Sequence, residues 1–298
     1  MKRWYWHRYH TPLAHRIVFA LIPLLPQFLH PPIAVVTAAV FFLLLRRERR
    51  AVAGNLRRIA RLKGMRLWWM VGRVFYSFCD LIVSYCYVPR ADFQGLRGML
   101  RGGESGMRRI DECLAAGRGV IVWTAHLGNW EFASRLLEMH GRTVNIARLV
   151  ENNPAEIMLR DLMLNERVRI VDLGSGAAAS LELVHALRRN EIVAIQGDRV
   201  YQRLTASLPF FGAPAEFPLG PFLLSQVSGA PVLPGFVLRS RWLRYRVVMG
   251  QPIWPVADGV AAQQTCLEEA VGFLEANLRT DYDQWLNFYP FWPAAPHE

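Results

Sequence analysis

Apolar and polar positions follow two different patterns along the middle of the chain. Residues 120–125 and 191–196 are short apolar runs rich in β-branched side chains, which is typical of strands buried on both faces. Between such runs apolar residues recur at helical spacing, as in the segment that begins at Trp130. The predicted strands are residues 120–125, 143–149, 168–172, 191–196 and 242–249, and the predicted helices are residues 65–88, 104–116, 154–166, 174–189 and 261–278, together with the one that begins at Trp130. This alternation predicts an α/β fold with a central, mostly parallel sheet flanked by helices.

Two segments outside that alternation are predicted to be irregular. Residues 89–103 contain glycine and connect two predicted helices. The first half of residues 208–239 is broken by proline and glycine, which favours a loop. Apolar residues dominate this second segment, so it requires cover or a lipid-like ligand.

The first quarter of the chain has its own pattern, in which apolar runs lead directly into basic residues. Residues 17–29 and 33–45 are apolar runs of 13 residues each, separated by a His-Pro-Pro tripeptide. A membrane-spanning helix needs about 20 apolar residues, so the two runs predict one kinked span or a shallow helical hairpin. We therefore divide the chain into a membrane-associated apolar and basic helical segment, residues 1–64, and an α/β domain, residues 65–298.

The positive charge is concentrated in the same quarter. The net charge is +11, but residues 1–73 carry +13 and residues 74–298 carry −2. Arg-Arg-Glu-Arg-Arg at residues 46–50 follows the second apolar run as a basic cluster that faces anionic lipid would. The predicted partner is an anionic membrane surface and not a nucleic acid, because no nucleic-acid-binding motif accompanies the charge.

Several classes of site lack their sequence signature. The four cysteines show neither CxxC nor zinc-like spacing, so free thiols in a reducing compartment are the simplest interpretation. HExxH and GxSxG are absent, which argues against a zinc protease and a serine hydrolase. We predict no metal and no cofactor.

Candidate chemistry appears where the predicted strand 120–125 ends in His126, at the carboxyl edge where open α/β sheets bind ligands. Gly128 permits a tight reversal, Asn129 is a good helix N-cap, and Glu131 then falls in the first helical turn. A carboxylate there can accept the N–H of one imidazole nitrogen, which leaves the other nitrogen as a general base. His126 and Glu131 are therefore the predicted catalytic pair. The competing interpretation is a satisfied polar histidine beside a helix-start acid.

A second polar cluster, Asp198 and Arg199, follows the predicted strand 191–196. If this strand runs parallel to the one before His126, as right-handed crossovers require, both clusters lie on the same edge of the sheet. We predict that Asp198 and Arg199 line the same crevice as His126 and that Arg199 contacts an anionic part of a substrate. The two side chains could instead simply pair with each other.

The string HLGNWE at residues 126–131 resembles the HxxxxD/E motif of glycerolipid acyltransferases, in the form found in bacterial lipid A secondary (lauroyl/myristoyl) acyltransferases. Further similarity comes from the Asn55-Leu56 pair, the segment around FFG at residues 210–212, and the tail string DYDQW at residues 281–285, which is similar to the family's C-terminal acid-x-Gln-Trp pattern. The resemblance spans most of the chain in the right order. It departs from the family at QGDRV, residues 196–200, where an Asp-Gln or Asp-x-Asp cluster is common, and this departure concerns the acceptor more than the reaction.

This resemblance implies transfer of a fatty acyl chain from an acyl carrier protein thioester, less often acyl-coenzyme A, to a hydroxyl of a lipid or glycolipid such as a lipid A precursor. His126 would deprotonate the hydroxyl, which attacks the thioester directly. Asn129, Arg148 and Arg167 become candidate substrate-binding residues. The implied location is the bacterial inner membrane, with the catalytic domain on the cytoplasmic side. A non-catalytic membrane protein that binds lipid is the main alternative.

Overall fold

The computed structural model describes residues 21–87, 92–101, 103–150, 166–201, 204–255 and 259–292. The predicted helix over residues 154–166 lies outside this part of the chain except for its last residue. Within the described residues the strands are β1 Leu100–Arg101, β2 Val120–Thr124, β3 Val144–Arg148, β4 Val168–Asp172, β5 Ile192–Gln196, β6 Thr205–Phe210, β7 Ala213–Pro218, β8 Val232–Arg241 and β9 Arg244–Met249.

Seven of these strands form one sheet in the order β1-β9-β8-β2-β5-β3-β4. β2 is parallel to its neighbours β5 and β8, and β3 is parallel to its neighbours β5 and β4. β9 runs antiparallel to β8, and β1 pairs parallel with β9. The mostly parallel sheet confirms the predicted fold class, and it brings the carboxyl ends of β2, β5, β3 and β4 to one edge.

Helices cover both faces of the sheet, which explains why every residue of β2 is buried. The described helices are α1 His30–Leu44, α2 Arg46–Ala60, α3 Gly64–Tyr87, α4 Phe93–Met99, α5 Gly103–Ala115, α6 Trp130–Leu137, α7 Ala177–Arg188, α8 Gly220–Ser228 and α9 Val260–Asp281. Ile110 of α5 and Leu137 of α6 pack with Val122 on one face. Helices α7, α8 and α9 pack with Trp123 on the other face. Successive residues of β2 therefore face two separate cores.

Helices α1, α2 and α3 share an apolar core of their own, which contains Ala38 of α1, Leu56 of α2 and Phe75 of α3. Gln27–Leu44 and Gly64–Ser84 are long and apolar enough to cross a membrane by length and composition; 17% of the first and 56% of the second is buried within the protein. The N-terminal apolar helix is thus a candidate membrane span. Because α3 packs with α1 and α2, the division at residue 64 separates helices that share one core, and it stays a prediction.

Both segments predicted to be irregular contain regular structure. β6 and β7 form an antiparallel hairpin in which Phe210 and Phe217 are fully buried. A two-stranded ribbon tolerates proline because each strand has a free edge, so the prolines that argued for a loop did not prevent pairing. Residues 93–99 form α4, whose N-cap Asp92 accepts a hydrogen bond of 2.7 Å from the Gly95 backbone N–H.

Candidate active site

The register of two neighbouring strands brings His126 and Asp198 together. Thr124 of β2 pairs with Gln196 of β5, so residues two positions further along each strand meet beyond the carboxyl edge. His126 Nδ1 lies 2.7 Å from Asp198 Oδ1, and the His126 backbone N–H donates to Asp198 Oδ2 at 3.0 Å. The aspartate therefore holds both the ring and the main chain of His126. Since an ionised carboxylate only accepts, the ring proton sits on Nδ1 and Nε2 carries a lone pair.

This geometry corrects the pairing predicted from the sequence. The carboxylate at His126 Nδ1 belongs to Asp198 and not to Glu131. The physical reason is the sheet register, which places the end of β5 directly beside the end of β2. The Glu131 carboxylate accepts a hydrogen bond from the Trp130 indole N–H at 3.1 Å. Glu131 is nonetheless buried and lines the same cavity as His126.

The C-terminal tail completes the surroundings of Asp198. The Trp285 indole N–H donates to Asp198 Oδ2 at 2.9 Å, and the Asn287 amide donates to the same oxygen at 3.4 Å. The backbone N–H of Leu286 donates to the His126 carbonyl at 2.8 Å. None of these three residues was predicted as part of the site. The tail string DYDQW, residues 281–285, was a signal for Trp285 alone, and it gave no indication of what the tryptophan contacts.

Arg199 lines the same cavity as His126, which confirms that the two predicted clusters share an edge. Its side chain is buried, and it donates to Asn287 Oδ1 at 3.1 Å and to the Leu286 carbonyl at 3.0 Å. The guanidinium also lies 5.8 Å from the centroid of the Tyr289 ring. Arg199 thus joins the tail to the sheet edge, and its contact with a substrate anion stays a prediction.

Burial and charge together set the protonation of the pair. Burial lowers the pKa of His126 below its usual value, and Arg199 lowers it further against the opposing effect of Asp198. Burial alone would raise the pKa of Asp198, but the charges of His126 and Arg199 and the hydrogen bonds from His126 and Trp285 hold it below its usual range. At neutral pH the pair is therefore an ionised carboxylate beside a neutral imidazole, the state that a general base requires.

The turn between His126 and α6 is built as the sequence predicted. Asn129 caps α6 by accepting from the Phe132 backbone N–H at 2.9 Å, and its amide donates to Ser84 at 2.8 Å. Both ends of this amide are engaged within the protein, and Asn129 does not line the cavity, so the described contacts support a structural role and not substrate binding. Gly128 has φ of 72°, and a Cβ there would lie 2.2 Å from the Val237 carbonyl oxygen.

A row of polar side chains crosses three adjacent strands one level below the His126–Asp198 pair. It consists of Thr124 on β2, Gln196 on β5 and Arg148 on β3, and all three line the cavity. Gln196 Nε2 is buried and has no hydrogen-bond partner among the described residues. A buried amide donor without a partner is costly, so this one is available to a substrate.

Arg167, also predicted to bind substrate, is on the wrong edge. It precedes β4 at its amino end, is exposed, and its carbonyl accepts from the Val144 backbone N–H at 2.8 Å. Five residues of strand, roughly 17 Å, separate it from the carboxyl edge that carries His126. The cause is the parallel pairing of β3 and β4, which aligns their amino ends away from the site.

The cavity below His126 has a volume of about 360 Å³ and lies between the sheet and helices α5 and α6. This volume is within the range of small-ligand sites. Its walls are mostly apolar, with polar side chains gathered near His126. Those polar or charged residues are Thr124, His126, Glu131, Ser134, Arg148, Gln196, Arg199 and Tyr201.

A histidine and a carboxylate at the carboxyl edge of an α/β sheet, beside a mostly apolar cavity, are an arrangement typical of an enzyme active site. Residues 4–293 match the family model described as bacterial lipid A biosynthesis acyltransferase, and the chain belongs to this family. Over 194 residues, 63% of this chain, it is 27% identical to a phosphatidylinositol mannoside acyltransferase of Mycobacterium tuberculosis (strain H37Rv). Over 188 residues, 61% of the chain, it is 25% identical to the protein of that name from Mycolicibacterium smegmatis. Each alignment covers 59% of the relative's length.

Proposed function

We propose that the protein is a membrane-associated O-acyltransferase that moves a fatty acyl chain from a thioester to a hydroxyl of a lipid or glycolipid. The observation that carries this proposal is the His126–Asp198 pair at the polar mouth of an apolar cavity. The histidine would deprotonate the acceptor hydroxyl, and the apolar walls of the cavity would bind the acyl chain. Membership of an acyltransferase family supports the reaction class.

In the proposed mechanism His126 Nε2 takes the proton of the acceptor hydroxyl while its oxygen attacks the thioester carbonyl carbon. The C–S bond then breaks, and the departing thiolate recovers a proton from the imidazolium. Asp198 fixes the tautomer and stabilises the imidazolium, as the carboxylate of a catalytic triad does. We propose that His126 and Asp198 form the catalytic dyad. Glu131 instead orients Trp130 by accepting its indole N–H, and the Trp130 ring centroid lies 5.2 Å from that of His126.

Side chains, and not the turn backbone, are the proposed donors to the carbonyl oxygen. The backbone N–H groups of Gly128 and Asn129 already donate to the carbonyls of Gln284 and Val237, at 3.0 and 2.7 Å. The Gln196 amide lines the cavity without a partner among the described residues, and the Arg148 guanidinium lines it beside Gln196. These two groups are positioned to stabilise developing negative charge.

The acceptor and donor are proposed by chemical class. Arg148 and Arg199 line the cavity, and they favour a phosphate-bearing substrate. Both a lipid A precursor and the phosphatidylinositol mannoside named for the relatives are such glycolipids. The proposed donor is an acyl carrier protein thioester or, less favoured, acyl-coenzyme A, because both carry phosphate.

We propose that α1 and the start of α3 attach the protein to an anionic membrane. Val36 and Leu43 of α1 and Met65 and Trp69 of α3 are exposed, and an exposed apolar face of this kind needs lipid or a partner. Exposed basic residues lie along the chain from α2 to the start of α3, next in sequence to these apolar residues, and anionic lipid attracts such residues. They are Arg46, Arg47, Arg50, Arg57, Arg58, Arg61, Lys63 and Arg66. The proposed location is the bacterial inner membrane, with the active site on the cytoplasmic side.

Lipid mass spectrometry of a gene deletion tests the proposal against the non-catalytic alternative. A deletion strain should lose a lipid species heavier by one acyl group than the species that accumulates. The wild-type gene should restore that species and His126→Ala should not, although the variant protein reaches the membrane at wild-type level. Restoration by His126→Ala would favour lipid binding without catalysis. Identical lipids with and without the gene would remove the acyltransferase proposal.

A further inference from the structure

The cavity wall has polar and charged side chains on one side of His126 and only apolar side chains and glycines among the described residues on the other. Toward β3 and β4 its wall includes the guanidinium of Arg148 and the amide of Gln196. Toward β9 the described lining residues are apolar side chains and glycines. β2, which carries His126, lies between these two sides of the sheet. If the thioester carbonyl of the donor lies beside His126 and the phosphate of the donor lies near Arg148, the acyl chain of the donor extends toward β9.

Met249 occupies the β9 side of the cavity. It is the last residue of β9 and pairs with Gly235 of β8. A Cβ at Gly235 would lie 2.3 Å from Met249 Sδ and 3.1 Å from Met249 Cε. The methionine side chain therefore crosses the neighbouring strand and fills the place that a side chain at position 235 would take.

Helix α5 closes the cavity over the same methionine. A Cβ at Gly106 would lie 2.9 Å from Met249 Cγ and 3.0 Å from Val247 Cγ1. The helix thus approaches β9 as closely as a residue without a side chain allows. The Arg109 guanidinium donates to the Met249 carbonyl, and to the Gly250 carbonyl at 2.8 Å, which fixes the backbone at this point. Met249 is consequently enclosed between one glycine above and one below.

We propose that Met249 is the residue that limits the length of the acyl chain that the enzyme transfers. This inference rests on the proposed function and adds the direction of the chain and the residue that stops it. An acyl chain that runs from His126 toward β9 is stopped by the Met249 side chain, which lies between Gly235 of β8 and Gly106 of α5. Shortening that side chain opens space for further methylenes, and each methylene moved from water into an apolar pocket improves binding about fourfold.

The test compares two cavity-widening variants at opposite ends, Met249→Ala and Ile170→Ala. Ile170 lies on β4 and lines the other end of the cavity, so its truncation also adds apolar space. Each variant replaces the wild-type gene in its host, and mass spectrometry measures the acyl length of the lipid whose acylation depends on the gene. Met249→Ala should raise the ratio of chains at least two carbons longer to wild-type chains by on the order of tenfold. Ile170→Ala should leave that ratio unchanged.

A ratio of lengths is independent of how much protein survives, so partial loss of folding does not obscure it. If Met249→Ala yields no product, Met249→Val should show a smaller shift in the same direction. Unchanged lengths in the product-forming Met249 variants, or a shift with Ile170→Ala in their place, would overturn the inference while leaving the proposed function intact. If wild type and deletion have identical lipids, the proposed function fails and this inference fails with it.

Discussion

The turns after β2 and after β5, two neighbouring strands, each contribute one residue to the His126–Asp198 pair, but only the turn after β2 is recognisable from a local motif. The turn after β2, residues 126–131, carries the histidine and is recognisable as a local motif. The turn after β5, residues 197–199, carries the aspartate that the histidine contacts, yet the two residues are 72 positions apart in sequence. A local motif can thus locate the histidine, while the register of the sheet determines which carboxylate contacts it. Each turn also depends on contacts with distant parts of the chain, and single substitutions can remove those contacts one at a time.

The largest expected effect on the free energy of unfolding is at Gly128, in the turn after β2. Gly128→Ala places a Cβ 2.2 Å from the Val237 carbonyl oxygen at φ of 72°. Overpacking and left-handed strain together should lower the free energy of unfolding by about 2–5 kcal/mol. Gly117→Ala is the matched control, because Gly117 has φ of 73° but nothing within 4 Å of its added Cβ. Denaturant unfolding of both variants should show a much smaller loss at position 117, and equal losses would contradict the account.

The next effect concerns the tail that supports the second turn. Trp285→Phe keeps the aromatic ring but removes the N–H that donates to Asp198. A hydrogen bond to a charged group contributes about 1.5–3 kcal/mol, so turnover should fall about tenfold or more. Trp292→Phe removes an indole bond of 3.1 Å to the Phe210 carbonyl and leaves Asp198 untouched. Its kcat should stay near wild type; a kcat loss equal to that of Trp285→Phe would show that both act through packing.

A pH profile of kcat distinguishes the effect of the Arg199 charge on the pKa of His126 from the structural contacts of Arg199 with the tail. Arg199 lowers the pKa of His126, so Arg199→Gln should raise it. If His126 acts as the proposed general base, its neutral imidazole is the active form, and wild-type kcat should be level through neutral pH and fall only on the acid side. In Arg199→Gln the acid limb should move to higher pH, with partial recovery in alkali. A limb that stays in place, with a loss equal at every pH, would assign Arg199 a structural role alone.

The smallest effect is expected at the cap. Asn129→Ala removes the bond to the Phe132 N–H and should lower the free energy of unfolding by about 1 kcal/mol. Arg167→Ala serves as the comparison, since Arg167 is exposed at the amino edge of the sheet. Its unfolding and its KM should both match wild type. A KM increase for Arg167→Ala would contradict the placement of the site.

Most of the sheet could be predicted from the sequence because its strands are continuous apolar runs of the right length. The strand 120–125 is observed as Val120–Thr124, and the helix after it begins at Trp130 as expected. The hairpin of β6 and β7 was missed because its prolines gave a loop signal, although buried and exposed residues alternate in both strands, with Leu208 and Phe210 buried in β6 and Ala215 and Phe217 buried in β7. Local pattern succeeds where burial is two-sided and fails where an edge tolerates proline.

The site could be predicted only in part. His126, Asp198 and Arg199 follow from the rule that strand ends share an edge, whereas the contacts of Trp285 and Asn287 required the fold of the tail. Arg167 was a candidate because of the family resemblance, although it directly precedes the predicted strand 168–172 and so lies at the amino end of that strand. How β4 pairs then decides that this end is on the edge opposite His126. The missing information in each case is which strands are neighbours and in what register.

The most direct test of the central claim compares two carboxylates in one assay. Asp198→Asn and Glu131→Gln each replace a charged group by an amide of similar size, and kcat is measured for both at saturating substrate after their folding has been verified. Loss of the carboxylate behind a catalytic histidine costs up to about 10⁴-fold in other enzymes. We expect kcat to fall by about this factor in Asp198→Asn and by a factor at least tenfold smaller in Glu131→Gln. A larger loss for Glu131→Gln than for Asp198→Asn would contradict the assignment of Asp198 as the partner of His126.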